Sequence, residues 1–129
     1  AFVLGSDQVC VLGDQILSKP GTPERAEAQL QQLAGKTHQL ITALALRHPD
    51  GRFSEGLSVH HMSLRALSPA AIARYVAADA PLDCAGSYKI EGRGIALFTS
   101  IAGDDFTGIV GLPLIALTDL LTSAGFEVL

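Results

Sequence analysis

Two charged positions and one glycine-rich loop are the best candidates for chemistry in this sequence. Asp7 follows an apolar run, Lys19 comes after the next apolar run, and residues 86–94 carry Lys89 and Glu91 among three glycines. Loops beside strand ends are where rigid scaffolds commonly hold reactive groups. A carboxylate there can accept a proton from water, and a lysine can offset phosphate charge. The pattern favours a site for an anionic ligand.

Plainer roles fit the same residues. Asp7 can equally be a turn-forming residue at a strand end, and Lys19 a solvated surface charge. Lys89 can pair with Glu91, bind a phosphate or remain a surface lysine. Spacing alone leaves these alternatives open.

Other reactive residue types give little support for metal or covalent chemistry. His60 and His61 are adjacent in a predicted strand, so their rings should point to opposite faces and not share one metal site. Cys10 and Cys84 are far apart and belong to no ligand cluster, which favours two reduced thiols. No nucleophile motif surrounds the candidate serines, which are Ser6, Ser87 and Ser100.

The N-terminal half should position Asp7 and Lys19 on strands. Residues 1–4 are an apolar run that predicts a buried strand ending at the polar residues 5–8, and residues 9–12 resume it. Residues 13–14 resemble a hairpin turn. Further elements follow along the chain: a helix over 23–34 with Thr22 as its cap, a strand over 37–46, a turn over 48–51 and a strand over 53–67.

The C-terminal half predicts two helices around the glycine-rich loop. Ser68 followed by Pro69 starts a helix that should end near Asp79. A strand should resume at residues 95–98, and Pro113 should open a last helix. The apolar residues expected to face inward on that helix are Leu114, Leu117, Leu120 and Leu121. This order of elements indicates a mixed α/β (α+β) domain over residues 1–129.

Composition and charge limit the partners. Hydrophobic residues make up 48% of the chain and charged residues 17%, as in globular proteins. The net charge is −4, and no run of Lys or Arg could follow a nucleic-acid backbone. No stretch reaches a membrane span, so we expect a cytoplasmic protein without nucleic-acid or membrane partners. A negatively charged protein that handles a polyphosphate needs placed cations, backbone amides or a divalent metal.

Four sequence blocks resemble one protein family. GSDQVCVL at residues 5–12, ILSKP at 16–20, PLDCAGSYKIEG at 81–92 and VGLPLIAL at 110–117 are similar to the signatures of the Maf family, in its 7-methyl-GTP branch. The resemblance implies an inosine-triphosphate-pyrophosphatase-like sheet with flanking helices. It also implies cleavage of a nucleoside triphosphate to a monophosphate and pyrophosphate with a divalent metal, Mg²⁺ or Mn²⁺, and a homodimer.

The resemblance also implies roles for individual residues. Asp7 matches the carboxylate assigned as proton acceptor for the attacking water, and it could instead help to hold the metal. Lys19 matches a phosphate-binding lysine. Gln8 and Glu91 match the positions that separate the branches, which tend to carry Thr and Gln in the dTTP/UTP branch.

One part of the family pattern has no match in this sequence. The Ser-x-Ser-Pro-Arg-Arg motif and the following Glu, which the family uses for triphosphate and metal, are not found in residues 1–129. We therefore expect a domain that lacks this N-terminal segment and an incomplete catalytic constellation. The alternatives are a dTTP/UTP pyrophosphatase, or a noncatalytic nucleotide-binding or cell-division fragment.

Overall fold

A computed structural model describes residues 1–129 as one five-stranded antiparallel sheet with four α-helices. The strand order is β2-β1-β3-β4-β5. The strands are β1 (Val3–Leu12), β2 (Gln15–Leu17), β3 (Thr37–Arg47), β4 (Phe53–Leu64) and β5 (Phe98–Gly103). The helices are α1 (Pro23–Leu33), α2 (Pro69–Asp79), α3 (Phe106–Val110) and α4 (Leu114–Ser123), with a 3-10 turn at Arg93–Leu97. The predicted mixed α/β class is confirmed.

The capping signals place the first two helices as predicted. Thr22 accepts the backbone N–H of Arg25, and Ser68 accepts that of Ala71, so each side chain satisfies a donor that the helix itself leaves unpaired. A proline occupies the first turn of both helices, where its missing N–H costs nothing. The predicted ends are also close, because α1 stops one residue short of 34 and α2 stops at Asp79.

β3 is the central strand of the sheet, and along it buried side chains alternate with more exposed ones. Its side chains point in turn to opposite faces, and Leu40, Leu44 and Leu46 are buried on one of them. β1 and β4 flank it in antiparallel register, with Asp7 opposite Ala43 and Ser58 opposite Thr42.

The helices pack on a single face of the sheet. α1 and α2 cover one end of this face, with Leu30 and Ile72 in the main core cluster. α4 covers the other end, where Leu120 packs with Leu44 and Leu46. The other side of the sheet, which we call the open face, carries Phe53 and Leu57 with 63% and 61% of their surfaces exposed. No helix is long and apolar enough to cross a membrane.

The prediction of a buried strand ending at residues 5–8 is wrong. β1 runs without interruption through Asp7 to Leu12, and residues 3–7 are exposed. Polar side chains are tolerated because β1 pairs with β3 through the backbone, while residues 3–9 have no strand on their other side. The hairpin predicted at residues 13–14 is confirmed, with Cys10 paired to Leu17.

Two boundaries and the burial of one leucine differ from the sequence prediction. β4 ends at Leu64 and not at residue 67, and its pairing with β5 is irregular between Ser63 and Leu64. Residues 95–97 belong to the 3-10 turn, so β5 starts at Phe98. In α4, Leu120 is buried and Leu117 and Leu121 are partly buried, but Leu114 is 48% exposed because the sheet covers only one side of this helix.

Candidate functional site

One cavity brings together four of the five residues selected from the sequence. Asp7, Gln8, Lys19 and Glu91 all line a cavity of about 370 Å³ between β1, the segment after β2, the loop over 81–91 and the end of α3. These residues are up to 84 positions apart in the chain, so their convergence is a property of the fold and not of local sequence. Lys89 does not line this cavity.

Asp7 lies at the rim of the cavity. Its Oδ1 accepts the backbone N–H of Gln8 at 3.0 Å, whereas Oδ2 has no hydrogen-bond partner within the chain. Neighbouring strand residues point to opposite faces, so the Asp7 side chain leaves β1 on the open face while that of Gln8 leaves it on the covered face. Asp7 also lines a second cavity, of about 510 Å³, on the sheet. Ser6 and Asp7 thus line both cavities, on the part of β1 that has no strand on its other side.

Lys19 is exposed, and the backbone beside it is held from α1. Gln29 donates from Nε2 to the carbonyl oxygen of Ser18 at 2.6 Å, and its Oε1 accepts the hydroxyl of Ser87 at 2.5 Å. Ser87 is fully buried and has a left-handed backbone with φ of 66°. One glutamine thus ties the Lys19 segment to the loop that carries Glu91.

The loop around Glu91 is anchored on both sides by α2. The phenolic oxygen of Tyr75 accepts the backbone N–H of Lys89 at 2.8 Å, and Asp79 accepts the backbone N–H of Arg93 at 2.8 Å. Gly94 donates to the carbonyl oxygen of Lys89, and a Cβ on Gly94 would stand 2.2 Å from that oxygen. Glu91, itself exposed, therefore projects from a backbone fixed two residues before and two residues after it.

Lys89 forms no ion pair with Glu91. The single ion pair of the structure joins Arg52 to Asp50 on the surface. The Lys89 ammonium lies close enough to Cys84 to lower its pKa, but burial and the neighbouring Asp83 dominate and raise the pKa of that thiol. Of the interpretations proposed for Lys89, its pairing with Glu91 is therefore not formed in this structure.

Tyr88, which lines the cavity, belongs to a buried aromatic cluster. Its hydroxyl is 2.8 Å from Nε2 of His38, and its ring packs edge-on against Phe98 at 4.9 Å between centroids. Burial lowers the pKa of His38 to about 4 and raises that of Tyr88. Both groups are uncharged at neutral pH, so this cluster adds no charge to the cavity.

The two cysteines are free thiols, as the sequence favoured. Cys10 is buried, and burial raises its pKa to about 12. Cys84 lines the cavity with a pKa that is also raised. Neither sulfur is a thiolate at neutral pH, and a thiol is a poor nucleophile in that form.

The charged lining of the cavity is acidic overall. It consists of three carboxylates, on Asp7, Asp83 and Glu91, against one ammonium, on Lys19. No group of three or more His, Cys, Asp and Glu side chains is close enough to hold a metal ion, and His60 is buried while His61 is exposed on the opposite face. Mg²⁺ is commonly bound through one or two carboxylates together with substrate phosphates and water. The residues present fit an ion of that kind.

Several residues of the site were not selected from the sequence. Tyr75 was predicted only as part of an apolar stripe on a helix. No neighbouring residue in the sequence indicates that Gln29 and Thr42 form hydrogen bonds to distant parts of the chain. Ser87 was considered only as a nucleophile, and neither its left-handed backbone nor its bond to Gln29 could be read from the sequence.

The cavity lies beside the sheet of a mixed α/β fold, a place where such proteins commonly bind small molecules. The chain belongs to the Maf-like protein family, whose sequence model it matches over residues 1–124. It is 49% identical over 127 residues to the 7-methyl-GTP pyrophosphatase of Xanthomonas campestris pv. campestris, covering 98% of this chain and 66% of that protein.

Two further relatives carry the same name. The 7-methyl-GTP pyrophosphatase of Xanthomonas oryzae pv. oryzae is 51% identical over 127 residues, which are 98% of this chain and 66% of that protein. That of Pseudomonas aeruginosa is 49% identical over 128 residues, which are 98% of this chain and 67% of that protein. The chain thus spans 66–67% of the length of these relatives.

Proposed function

We propose that this Maf-like chain belongs to an enzyme that hydrolyses 7-methyl-GTP to 7-methyl-GMP and pyrophosphate in the cytoplasm, and that residues 1–129 supply its proton acceptor, one phosphate-binding lysine and the groups that read the base. Removing this nucleotide would keep a modified base out of nucleic acid. The observation that carries the proposal is the convergence of Asp7, Gln8, Lys19 and Glu91 on one cavity. The names of relatives about half identical to the chain support it.

Asp7 is the proton acceptor in this proposal. Its free Oδ2 is available to a water molecule, and a carboxylate can take the proton as that water attacks phosphorus. The position of Asp7 at the rim suits a substrate whose base enters the cavity and whose phosphates extend to the edge of the sheet. Lys19 would balance phosphate charge from the same cavity.

A divalent metal, Mg²⁺ or Mn²⁺, is part of the proposal. One lysine against three carboxylates does not neutralise a triphosphate, and the ion would supply that positive charge when bound. Asp7 is the candidate protein ligand, with phosphate oxygens and water in the remaining positions. Lys89, outside the cavity lining, remains a candidate for a phosphate that extends beyond the rim.

Glu91 and Gln8 would read the base. The Glu91 carboxylate can accept hydrogen bonds from the N1–H and amino group of a guanine-type base. It also attracts the positive charge that methylation at N7 leaves on the ring, which a neutral glutamine at this position would not do.

The test compares 7-methyl-GTP, GTP, dTTP and UTP with this chain and Mg²⁺, measuring both pyrophosphate release and the dissociation constant of each nucleotide. We expect 7-methyl-GTP to be turned over fastest and bound most tightly. Preference for dTTP or UTP in both measurements would overturn the proposed substrate. Absence of turnover together with equal binding of all four would overturn the proposed function of this chain.

A further inference from the structure

The Gln8 side-chain amide is held by three acceptors inside the protein. Its Nε2 lies 3.1 Å from Oγ1 of Thr42, 2.9 Å from the carbonyl oxygen of Gly108 and 3.1 Å from that of Ile109. An amide nitrogen has two hydrogens, so three acceptors use both of them, one hydrogen being shared. The nitrogen end of this side chain has nothing left to donate.

The chemistry of these three partners sets which end of the amide faces them. Backbone carbonyl oxygens only accept, so the amide oxygen cannot replace the nitrogen beside Gly108 and Ile109. The Thr42 hydroxyl donates its own hydrogen to the Gly108 carbonyl at 2.8 Å and therefore offers Gln8 a lone pair. A flipped amide would place one oxygen against three acceptors.

The amide oxygen Oε1 is the free end. It makes no hydrogen bond within the chain and is not among the buried unpaired atoms, so it is open to solvent. Gln8 lines the cavity, whereas Thr42 is fully buried and is not part of the lining. Thr42 can therefore affect a bound ligand only indirectly, through Gln8 or through the Gly108 carbonyl that precedes Ile109 of the lining.

We infer that Gln8 presents the ligand with a hydrogen-bond acceptor only, and that Thr42 is the positioning residue that orients it. This inference rests on the proposed function for the identity of the ligand. Together with the Glu91 carboxylate, the cavity then offers two acceptors and no side-chain donor from these two residues.

Two acceptors select among base edges. A guanine-type edge carries three donor hydrogens, one on N1 and two on the exocyclic amino group, so Glu91 can take N1–H and one amino hydrogen while Gln8 takes the other. The corresponding edge of uracil or thymine carries one N–H between two carbonyl oxygens. The second acceptor would face a carbonyl oxygen in a pyrimidine and leave both groups unpaired, which is costly in a partly closed cavity. Thr42 thereby contributes to selection of guanine-type nucleotides without touching them.

The test uses Thr42→Val, which keeps the shape of the side chain and removes its hydroxyl, and Thr42→Ser, which restores the hydroxyl. Thr37→Val is the matched control, because Thr37 lies on the same strand but is exposed and bonds only to Ser63. The ratio of the UTP to the 7-methyl-GTP dissociation constant is measured for each protein. We expect that ratio to fall about 3- to 10-fold in Thr42→Val, the size of one hydrogen bond, and to stay unchanged in Thr42→Ser and Thr37→Val.

A second readout needs no nucleotide. In a nitrogen-15 NMR spectrum of the wild type, the two side-chain N–H signals of Gln8 should be resolved and slow to exchange with solvent. In Thr42→Val these two signals should move or broaden, while the remaining signals still show a folded protein. Unchanged Gln8 signals in that variant would refute the positioning role. Altered signals with an unchanged nucleotide ratio would refute the role in selection. If no nucleotide binds to any protein, the proposed function and the selection fail together, while the Gln8 signals still decide the positioning role.

Discussion

Ser87 donates its hydroxyl to Oε1 of Gln29 at 2.5 Å, across 58 residues of chain. The same glutamine donates to the carbonyl oxygen of Ser18 at 2.6 Å. The two segments that hold Lys19 and Glu91 are therefore connected through one α1 side chain. Gln29 itself does not line the cavity.

Gln29→Ala removes both bonds and leaves the Ser87 hydroxyl buried without a partner. We expect a loss of about 1–3 kcal/mol in the free energy of unfolding and weaker nucleotide binding, because both loops lose a common support. Urea unfolding and nucleotide titration measure the two effects. Gln32→Ala on the exposed side of α1 is the control, and an equal effect in that variant would contradict a specific role for Gln29.

Asp7→Asn should abolish turnover, with a smaller loss of nucleotide affinity that follows from its proposed place beside the metal. An amide cannot accept the proton from water, and general-base catalysis typically contributes about 10²- to 10⁴-fold to the rate. Pyrophosphate release and nucleotide affinity are measured side by side. Asp14→Asn, in the exposed hairpin turn, is the matched control and should be active. Near-normal turnover by Asp7→Asn would remove this residue from the proposed reaction.

Glu91→Gln should reduce the preference for 7-methyl-GTP over GTP. The change keeps the size of the side chain but removes the negative charge that attracts the methylated ring, and we expect roughly a 10-fold fall in the affinity ratio. Glu127→Gln, exposed near the C-terminus, controls for net charge. An unchanged ratio in Glu91→Gln would show that the ring charge is recognised elsewhere.

Gly94→Ala should destabilise the Glu91 loop. The added Cβ would stand 2.2 Å from the carbonyl oxygen of Lys89, so the loop has to move, at a cost of about 1–3 kcal/mol. Gly5→Ala is the comparison, since its Cβ would meet nothing closer than 3.9 Å. Urea midpoints decide between them, and equal midpoints would mean that the loop adapts without strain.

His38 should make the protein less stable in mild acid. Burial lowers its pKa from 6.5 to about 4, so the unfolded chain binds a proton more readily than the folded one between these values. The contribution of His38 is present above pH 6.5 and is lost as the pH falls toward 4, amounting to roughly 3 kcal/mol.

Urea unfolding of the wild type and of His38→Leu from pH 7 to pH 4 measures this effect. The carboxylates are common to both proteins, so the difference between the two curves isolates His38. His61→Leu, with an exposed ring on the other face of the sheet, should follow the wild type. Parallel curves for the wild type and His38→Leu would contradict the prediction.

Local signals in the sequence predicted the helices well, because a cap such as Thr22 or Ser68 acts on a donor three residues away. They failed at residues 5–8, where a polar run reads as a break but continues as a strand through its pairing with β3. Backbone pairing at a sheet edge does not require apolar side chains, so composition carries no signal for it.

The site divides in the same way. Asp7, Lys19 and Glu91 were selected from their places beside strand ends and in the glycine-rich loop, and Gln8 from the resemblance to a family. The supporting residues Gln29, Thr42 and Tyr75 act across 58, 34 and 14 positions of chain. A hydrogen bond over such a distance exists only after the fold forms. Single-sequence reasoning has no means of pairing these groups in advance.

The exposed edge of β1 has a consequence for handling this protein. Residues 3–9 have no strand on one side, so their backbone groups can pair with another extended chain. A charge on such an edge opposes aggregation, and Asp7 is the only charged residue among residues 3–9. Neutralising Asp7 can therefore lower solubility as well as turnover, and the rate of that variant has to be normalised to the protein that remains in solution.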